Sequence, residues 1–544
     1  MDFICISLFL ILFYSRPWEW NSFAASLGPV TKVMAIGLAA MLYRKLNDNT
    51  LTVKGLVRTP QDWAMVTLIF WICYSNDDWN TAWDQVNSRL GYYLLAAHAL
   101  TTWRRIETFL WVWMIMIIFI CAMGVMGYFG VYDPFGSYQK IHSVWKGRCG
   151  LNLAVFANPN AYGHSVVPAI PIIYYLGIFR RFIVIREITA PLFIMPAWAL
   201  WLTESKGSFL SAGVTTLATM AFGRPKVVQA GILIFAYGSG MSIMLLLPRM
   251  GVISNPKQDA GIRGRIKAQA YAWDVLQKQP MGVGFENFLP THRIDVEVER
   301  NLAIKKATYI HEQRRQRRQK LVKKWNAQIR KIERNKQMAP ETKEREINQR
   351  KSWIDAKRLE EIKRDFEFGK IEWTEVEEYK AVTSHNSYVE VGAELGKKGL
   401  YFWLAILYYC LKSLVLARCQ TDQQERIRRL MFGIISSYLC SSWATNISYR
   451  ATFFLQTAVI SAFHYHYHNP QDEELVASSE TGLQAVPPEG TQVTVAEGGV
   501  EESGEVKEPL NRMRLLRSLI VDGVLIYVFY RLVLSGWKHV AFDL

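Results

Sequence analysis

The chain has 544 residues, of which 50% are hydrophobic and 13% are aromatic, and its formal net charge is +16. Its mean hydropathy of +0.04 averages apolar blocks at 1–247 and 399–467 with a charged block between them. Much of the positive charge lies in short loops and one basic insertion, which argues against a nucleic-acid partner. The seven cysteines lie mostly inside apolar runs, so no disulfide framework is predicted.

Several apolar runs approach the ~20 residues that cross ~30 Å of hydrocarbon. We therefore predict an all-α integral membrane protein with about 12 transmembrane helices. The first run, Met1 to Tyr14, has no basic leader and no small-residue cleavage site, which favours a retained span over a signal peptide. The other predicted spans are 28–43, 62–75, 84–101, 107–129, 160–178, 182–202, 206–222, 227–247, 399–417, 429–446 and 451–467.

Composition divides the chain into five predicted regions. A bundle of about nine spans is followed by a large loop domain, by further spans, by a disordered linker rich in Glu, Gly and Ser, and by an amphipathic C-terminal helix. The charges within 512–538 favour a helix in the membrane interface over a thirteenth span. The regions are 1–247, 248–398, 399–468, 469–511 and 512–544.

Loop charge predicts the orientation. Basic clusters fall in alternate loops, and the positive-inside rule places such loops in the cytoplasm. The charged loop domain then faces the periplasm or the cell exterior. The clusters are Arg44-Lys45 with Lys54 and Arg58, Arg104-Arg105, Arg180-Arg181, Arg224 with Lys226, and Arg426 with Arg428 and Arg429.

The charged insertion at 293–368 lies before the tenth predicted span. Apolar residues recur in it at helical spacing on both sides of Pro340, which predicts two long charged helices joined there, with an antiparallel hairpin as one arrangement. Two roles stay open for it. It is either a solvated structural stalk or a surface that recruits an anionic acceptor.

Four polar stretches fall on the predicted outer side of the membrane. Together they form the candidate site, because polar groups where a loop re-enters a membrane are more often functional than those within a span. They are Gly147-Arg148 with Asn158-Pro159-Asn160; Glu204-Ser205-Lys206-Gly207-Ser208; Arg265 followed by Pro280-Met281-Gly282-Val283-Gly284 and Phe288; and His385-Asn386-Ser387-Tyr388 followed by Glu394-Leu395-Gly396.

These stretches, over roughly residues 145–415 without the insertion, resemble the O-antigen ligase and polymerase family. Two positions depart from the family pattern. Lys206 stands where the family usually has arginine, and Gln269 stands where relatives commonly carry an aromatic residue. Lysine keeps the charge but loses the bidentate fork that suits phosphate.

The resemblance implies a metal-independent glycosyltransferase with no cofactor. It would move a glycan from an undecaprenyl-pyrophosphate carrier to an acceptor hydroxyl at the periplasmic face of a bacterial inner membrane. Arg265, then Lys206 and then Arg148, would stabilise charge on the leaving diphosphate. His385 would act as general base. The residues that would orient sugar or diphosphate are Asn160, Asn386 and Tyr388.

Several alternatives stay open. The acceptor is lipid A-core in a ligase, another carrier-linked glycan in a polymerase, and a protein hydroxyl in an oligosaccharyltransferase. A transporter of lipid-linked glycan and a membrane scaffold are the non-enzyme alternatives. A transporter would predict broken helices and repeated halves, and neither is evident in the sequence.

His385 also fits a helix cap, and Asn158-Pro159-Asn160 also fits a turn. The run from His464 to His468 favours an aromatic interface belt over a metal site.

Overall fold

The computed structural model describes residues 1–138, 141, 144–145, 147–234, 260–377, 383–469 and 508–542. All regular secondary structure in these residues is helical, which confirms the predicted all-α class. The chain forms two compact units. We call Met1–Glu286 with Ser384–Leu544 the bundle, and Asn287–Thr383 the hairpin unit.

Fifteen helices carry the fold among the described residues. They are α1 Asp2–Ser15, α2 Pro29–Asn47, α3 Pro60–Tyr74, α4 Trp79–Ala99, α5 Trp103–Tyr128, α6 Pro159–Val166, α7 Ile194–Leu202, α8 Lys206–Ala221, α9 Ala260–Lys278, α10 Phe288–Arg334, α11 Pro340–Glu377, α12 Ser387–Leu416, α13 Asp422–Ala444, α14 Ala451–His468 and α15 Glu508–Phe542. Shorter helical segments are Pro17–Glu19, Ser22–Leu27, Val53–Leu56, Ala169–Ile173, Tyr174–Ile178, Ile183–Thr189 and Ala190–Phe193.

Local sequence explains where several of these helices begin. Thr59 accepts a hydrogen bond from the Asp62 amide while Asp62 accepts from the Thr59 amide, which forms a capping box at the start of α3. Thr102 caps α5 and Thr421 caps α13 in the same side-chain-to-backbone manner. These caps satisfy amides that have no partner within the helix, and the three helices begin two to seven residues before the predicted spans at 62, 107 and 429.

Within the described ranges, six helical stretches are long and apolar enough to cross a membrane. Five of them coincide with predicted spans, and the sixth, Arg517–Phe542, is the C-terminal helix. The described residues of the other predicted spans are mostly helical, but these helices are too short or too polar to count as candidate spans; α1 has 14 residues and α3 has 15. The total of about 12 spans therefore stays a prediction. Of the predicted span 227–247, the residues after 234 lie outside the described residues, as does the linker from 470 to 507.

The predicted basic loops meet at one end of the bundle. Glu107, in the first turns of α5, accepts hydrogen bonds from Arg181 and from Gln423, at 2.6 Å for the latter. At the same end Arg429 donates to the Gly223 carbonyl at 3.0 Å. Since α8 ends here, its opposite end, at Lys206, carries one of the predicted outer stretches.

The C-terminal helix α15 packs one face against the bundle. Asp522 accepts hydrogen bonds from the Lys412 ammonium at 2.6 Å and from the Tyr408 hydroxyl at 2.8 Å. Trp537 is fully buried and donates to the Gln269 carbonyl at 3.0 Å. Asp522, one of the charges that favoured an interfacial helix, is thus paired with Lys412 of α12. The helix was predicted correctly, but it belongs among the candidate spans.

The hairpin unit consists of α10 and α11, and Pro340 is the first residue of α11. Trp325 meets Trp353 with ring centroids 6.1 Å apart, and Gln328 accepts from Arg350 at 2.7 Å. Residues later in α10 pair with residues earlier in α11, so the two helices are antiparallel. The predicted helix pair joined at Pro340 is confirmed, and the unit is longer than the predicted 293–368.

Candidate active site

The two most specific stretches of the resemblance pack directly against each other. Val283 and Gly284 donate backbone hydrogen bonds to the carbonyls of Ala393 and Glu394 at 3.0 and 2.9 Å. Gly396 has φ 67° and ψ −171°, which breaks α12. A Cβ on Gly396 would lie 2.0 Å from the Pro280 carbonyl oxygen. Glycine is required there for both conformation and space, so this part of the pattern holds the site together.

Backbone strain is concentrated at the predicted outer stretches. Among the described residues six non-glycine residues have positive φ, and three of them are Glu204, Glu286 and His385, at 48°, 58° and 49°. Each of these three belongs to a different stretch. Such conformations persist only where the surroundings fix them, and they cluster at functional sites.

His385 is held in this conformation by the residues on either side of it. Asn386 caps α12 and accepts hydrogen bonds from the amides of Tyr388 and Val389 at 3.0 and 3.3 Å. Ser384 accepts from the Asn386 amide at 3.3 Å, and its carbonyl accepts from Gln269 at 3.4 Å. The imidazole is therefore attached to a fixed backbone at the start of a helix. The alternative that His385 itself is the cap is wrong, since Asn386 fills that role.

Arg265 acts electrostatically on His385. Burial, and then the positive charge of Arg265, lower the pKa of His385 from 6.5 to about 4. The imidazole is therefore neutral near pH 7 and free to accept a proton. Arg265 is therefore near enough to His385 to act on it electrostatically, and the catalytic roles of the two residues stay predictions.

Arg148 and Asn160 also come together. The Arg148 guanidinium donates to the Asn160 side-chain oxygen and to the Thr203 carbonyl, each at 2.7 Å. Ser208 donates to the Asn160 carbonyl at 3.3 Å. The first two predicted stretches therefore form one hydrogen-bonded group, and Asn160 takes part in it beyond the turn that Asn158 caps.

Lys206 is the first residue of α8 and is partly exposed. Within the described part of the chain its ammonium makes no hydrogen bond or ion pair. A Cβ on the next residue, Gly207, would lie 3.2 Å from the Nε2 atom of His164. The charge of Arg265 acts on His164 as well as on His385. His164 thus links the Lys206 stretch to the Arg265 and His385 pair.

Tyr388 lies in packed surroundings. Its hydroxyl donates to the Leu439 carbonyl at 3.0 Å, and its ring meets Trp403 edge-on at 5.3 Å. Only 4% of the residue is exposed. Asn386 is similarly buried, with its side-chain oxygen accepting from two amides. For both residues the contacts explain a structural role, and contact with sugar or diphosphate stays a prediction.

Sequence reasoning missed three polar residues near the candidate site. His164 follows Asn160 by one helical turn, and its Nδ1 atom lies 2.8 Å from the Ser441 hydroxyl. Glu390 accepts from Asn446 at 2.8 Å and from Ser448 at 3.1 Å. Arg450 directly precedes α14. The sequence feature that could have found them is the one that selected the other candidate residues, namely a polar side chain near the start of a predicted span.

The histidine-rich end of α14 lies at the basic end of the bundle. His464 pairs with the Ser413 hydroxyl at 2.9 Å, and His466 pairs with the Leu100 carbonyl at 2.8 Å. Across the described ranges, no group of three or more His, Cys, Asp or Glu is placed to hold a metal ion. Assignment of this run to an interface belt stays a prediction.

No protein-family model matches the sequence, and no curated protein matches it. In the part of the chain that the structure describes, the geometry defines an all-helical fold with six helices that suit a membrane. Arg265, His385 and His164 lie at the end opposite the basic loops. A fixed guanidinium beside a neutral imidazole can bind an anionic group and accept a proton next to it.

Proposed function

We propose that this protein is a membrane glycosyltransferase of the O-antigen ligase type, which transfers a glycan from an undecaprenyl-pyrophosphate carrier to an acceptor hydroxyl. The observation that supports this most directly is the field of Arg265 at His385, a residue held in left-handed backbone. Charge stabilisation and proton removal are the two tasks of this reaction, and one residue is suited to each.

The diphosphate leaves as an anion, so transfer needs fixed positive charge more than it needs a general acid. Arg265 supplies that charge beside the reacting centre, and Arg148 and Lys206 supply more around it. The acceptor hydroxyl must lose its proton as it attacks, and neutral His385 accepts it. An anionic donor bound on Arg265 offsets the arginine's field and so raises the pKa of His385, which strengthens the base once the donor is in place.

The location that fits this function is the bacterial inner membrane, with about 12 spans and the site on the periplasmic face. Charge distribution supports this orientation, because the basic loops meet at the end of the bundle away from Arg265 and His385. The hairpin unit then faces the periplasm, either as a stalk or as a surface that recruits an anionic acceptor.

A transporter of lipid-linked glycan is the second candidate, and the structure adds one observation in its favour. No broken helix was evident from local sequence pattern, yet α12 is broken at Gly396. Discontinuous helices line substrate sites in many transporters. The break here also has a packing explanation, since it accommodates Pro280 and Met281.

The deciding experiment measures release of undecaprenyl pyrophosphate by purified protein supplied with lipid-linked glycan and, separately, with lipid A-core, a second lipid-linked glycan or a serine-containing peptide. Arg265→Gln should lower turnover about 10²–10³-fold, because one electrostatic stabiliser is removed. Arg265→Lys should recover only part, since the bidentate contact is lost. His385→Ala should lower transfer about 10²–10⁴-fold and leave donor binding intact.

Matched control variants come from the basic end of the bundle. Arg180→Gln and His468→Ala change exposed residues of the same types, and both should transfer at the normal rate. Normal transfer by His385→Ala would contradict the mechanism. Movement of intact lipid-linked glycan between membrane leaflets without release of pyrophosphate would identify a transporter instead.

A further inference from the structure

One face of α10 in the hairpin unit carries a continuous row of positive charge. Between Glu312 and Glu333 this helix has nine basic residues and no acidic one. At 3.6 residues per turn, five basic residues from 320 to 334 fall within about 100° of arc, on the side opposite to the buried Trp325. At 1.5 Å per residue they extend about 21 Å along the helix. We call these five residues the basic stripe; they are Lys320, Lys323, Arg330, Lys331 and Arg334.

The charge of the basic stripe is not neutralised within the hairpin unit. All five side chains are exposed. The ring of Trp325 contacts that of Trp353 in α11, so the stripe, on the opposite side of α10, points away from α11. No ion pair of the stripe occurs among the described residues. The ion pairs described in this unit lie within single helices, and they join Arg315 to Glu312, Lys357 to Glu360 and Arg364 to Glu361.

The partner helix α11 has a different distribution of charge. Acidic and basic residues alternate along it, as in Glu344-Arg345-Glu346. Interspersed charges of both signs keep a surface soluble without creating a large field of one sign. A stalk would need only that property, and α11 has it. The single-sign face of α10 goes further, because it creates a field that attracts an extended anion.

The stripe also lacks the features that a membrane surface or a nucleic acid would use. A helix that inserts into a membrane interface needs an apolar face beside its charges, and single-stranded nucleic acids bind through aromatic side chains on which bases stack. The large apolar side chains between 320 and 334 lie around Trp325 on the opposite side, and none of them is exposed. The exposed large apolar residues of α10, Ile294 to Tyr309, all precede the stripe. A polar, linear polyanion fits this face best.

We propose that the basic stripe binds a linear acidic polysaccharide, whose carboxylates lie along the row of ammonium and guanidinium groups. The inference rests on the proposed glycosyl transfer, since that function makes the polyanion a glycan. It names the class of glycan chain that the hairpin unit recruits, and it selects recruitment over the stalk. A chain held along α10 is present at the enzyme at a higher effective concentration than in solution.

The test measures binding of two linear polymers of matched length to full-length protein in phosphatidylcholine nanodiscs. Polygalacturonate carries a carboxylate on every sugar, and pullulan is neutral. Polygalacturonate should bind at least about ten-fold more tightly at low salt, because several charge-assisted contacts form together. This preference should weaken as salt is added, since exposed charges are screened.

Two matched variants locate the binding surface. Each removes three lysines and two arginines from exposed positions of the hairpin unit, so each lowers the net charge equally. The stripe variant should lose at least about ten-fold in affinity for polygalacturonate, and the control in α11 should stay within about three-fold of wild type. The stripe variant is Lys320→Gln, Lys323→Gln, Arg330→Gln, Lys331→Gln and Arg334→Gln. The control is Arg345→Gln, Lys351→Gln, Lys357→Gln, Arg358→Gln and Lys363→Gln.

A smaller pair of variants covers the case in which five substitutions prevent folding. Lys323→Glu with Arg330→Glu reverses two charges of the stripe seven residues apart, and Lys351→Glu with Arg358→Glu does the same in α11. Glutamate is as good a helix former as lysine, so both helices should persist. Only the first variant should lose polygalacturonate binding. Equal affinity for the two polymers, or equal losses in the α10 and α11 variants, would overturn the proposal.

Phosphatidylglycerol vesicles test the membrane alternative. They should displace polygalacturonate poorly, because the stripe has no apolar side chains to insert. Tighter binding to these vesicles than to the polymer, lost in the stripe variant, would assign the stripe to a lipid surface and overturn the proposal.

The assay of undecaprenyl pyrophosphate release separates this inference from the proposed function. Release of the carrier by a protein that does not bind polygalacturonate would overturn the acidic-glycan surface and leave glycosyl transfer intact. Stripe-dependent binding of polygalacturonate by a protein that never releases the carrier would contradict the function and leave the binding surface standing.

Discussion

At the scale of single residues, the structure separates the four members of the His385-Asn386-Ser387-Tyr388 stretch by what they contact. Asn386 and Tyr388 hydrogen-bond to backbone, and the Ser387 hydroxyl donates to the Thr445 carbonyl at 2.9 Å. His385 is the member whose backbone is strained and whose side chain lies in the field of Arg265. The other three position it, which is why one histidine in this stretch carries the chemical prediction.

The lowered pKa of His385 predicts an unusual pH dependence. A general base must be neutral, and a pKa of about 4 keeps the imidazole neutral to lower pH than the ordinary 6.5. The acid limb of kcat/KM, which reports the free enzyme, should therefore fall near pH 4, and activity should be flat from about pH 5.5 to 7. The measurement is a pH–rate profile with the lipid-linked donor.

A chemical probe checks the same pKa without turnover. Diethyl pyrocarbonate reacts with neutral imidazole, so modification of His385 should persist down to about pH 5. In Arg265→Gln the positive neighbour is gone, the pKa of His385 should rise, and modification should decline at higher pH than in wild type. A wild-type decline centred near the ordinary pKa of about 6.5 would show that burial and Arg265 exert no such effect.

At the scale of elements, α12 is the helix on which the site depends. Its first half carries the residues that position His385, and its break at Gly396 receives the backbone of Pro280 and Met281. Its second half pairs with α15 through Lys412 and Asp522. One helix therefore connects the two specific stretches of the pattern with the C-terminal helix, and changes at either contact should be felt throughout the bundle.

Replacement of Gly396 should be severely destabilising. Its φ and ψ lie in a region that only glycine adopts readily, at a cost of about 1–3 kcal/mol for other residues, and a Cβ would lie 2.0 Å from the Pro280 carbonyl. Gly396→Ala should lower Tm and activity together. Gly213→Ala is the control, because a Cβ added to that exposed helical glycine would meet no atom within 4 Å. The control should stabilise slightly, and an equal Tm for the two variants would contradict this role.

The contact between α12 and α15 supports a second prediction at this scale. Asp522→Ala leaves the Lys412 ammonium next to a cavity without its 2.6 Å partner, and removal of one member of a buried pair costs about 3–5 kcal/mol. Lys412→Met combined with Asp522→Leu should recover most of that loss. Thermal unfolding in detergent measures both. A double variant as unstable as Asp522→Ala would show that the charges themselves are not the cause.

At the scale of the whole molecule, charge is distributed unequally between the two ends of the bundle. One end gathers Arg181, Arg429 and Glu107, and the other carries Arg265, Arg450 and the residues around His385. The positive-inside rule predicts that the first end is cytoplasmic. The second end keeps a few buried positive charges that the proposed anionic substrates neutralise.

Reporter fusions test this orientation. An enzyme active only in the cytoplasm should be active when fused after Arg224 or after Arg429, because both lie at the basic end. The same reporter placed within residues 310–360 of the hairpin unit should be silent, and a periplasmic reporter should show the reverse pattern. Cytoplasmic activity within the hairpin unit would invert the orientation and place His385 on the cytoplasmic side.

Sequence alone determined the features that depend on neighbouring residues. Apolar runs predicted several of the helices, Pro340 marked the start of α11, and the polar stretches supplied the candidate site residues. These follow from local periodicity, from backbone hydrogen bonding and from the cost of polar groups in a membrane, all of which can be read along the chain.

Tertiary structure alone decided which residues meet. Asp522 indicated an interfacial helix until Lys412 proved to be its partner, 110 residues away. Gly396 ended the polar stretch that begins at His385, and only the structure showed the Pro280 backbone against it. Tyr388 was predicted to orient sugar or diphosphate, and only the structure showed that its hydroxyl donates to the Leu439 carbonyl. Burial and pairing depend on contacts between distant segments, and the local pattern of a sequence does not contain those contacts.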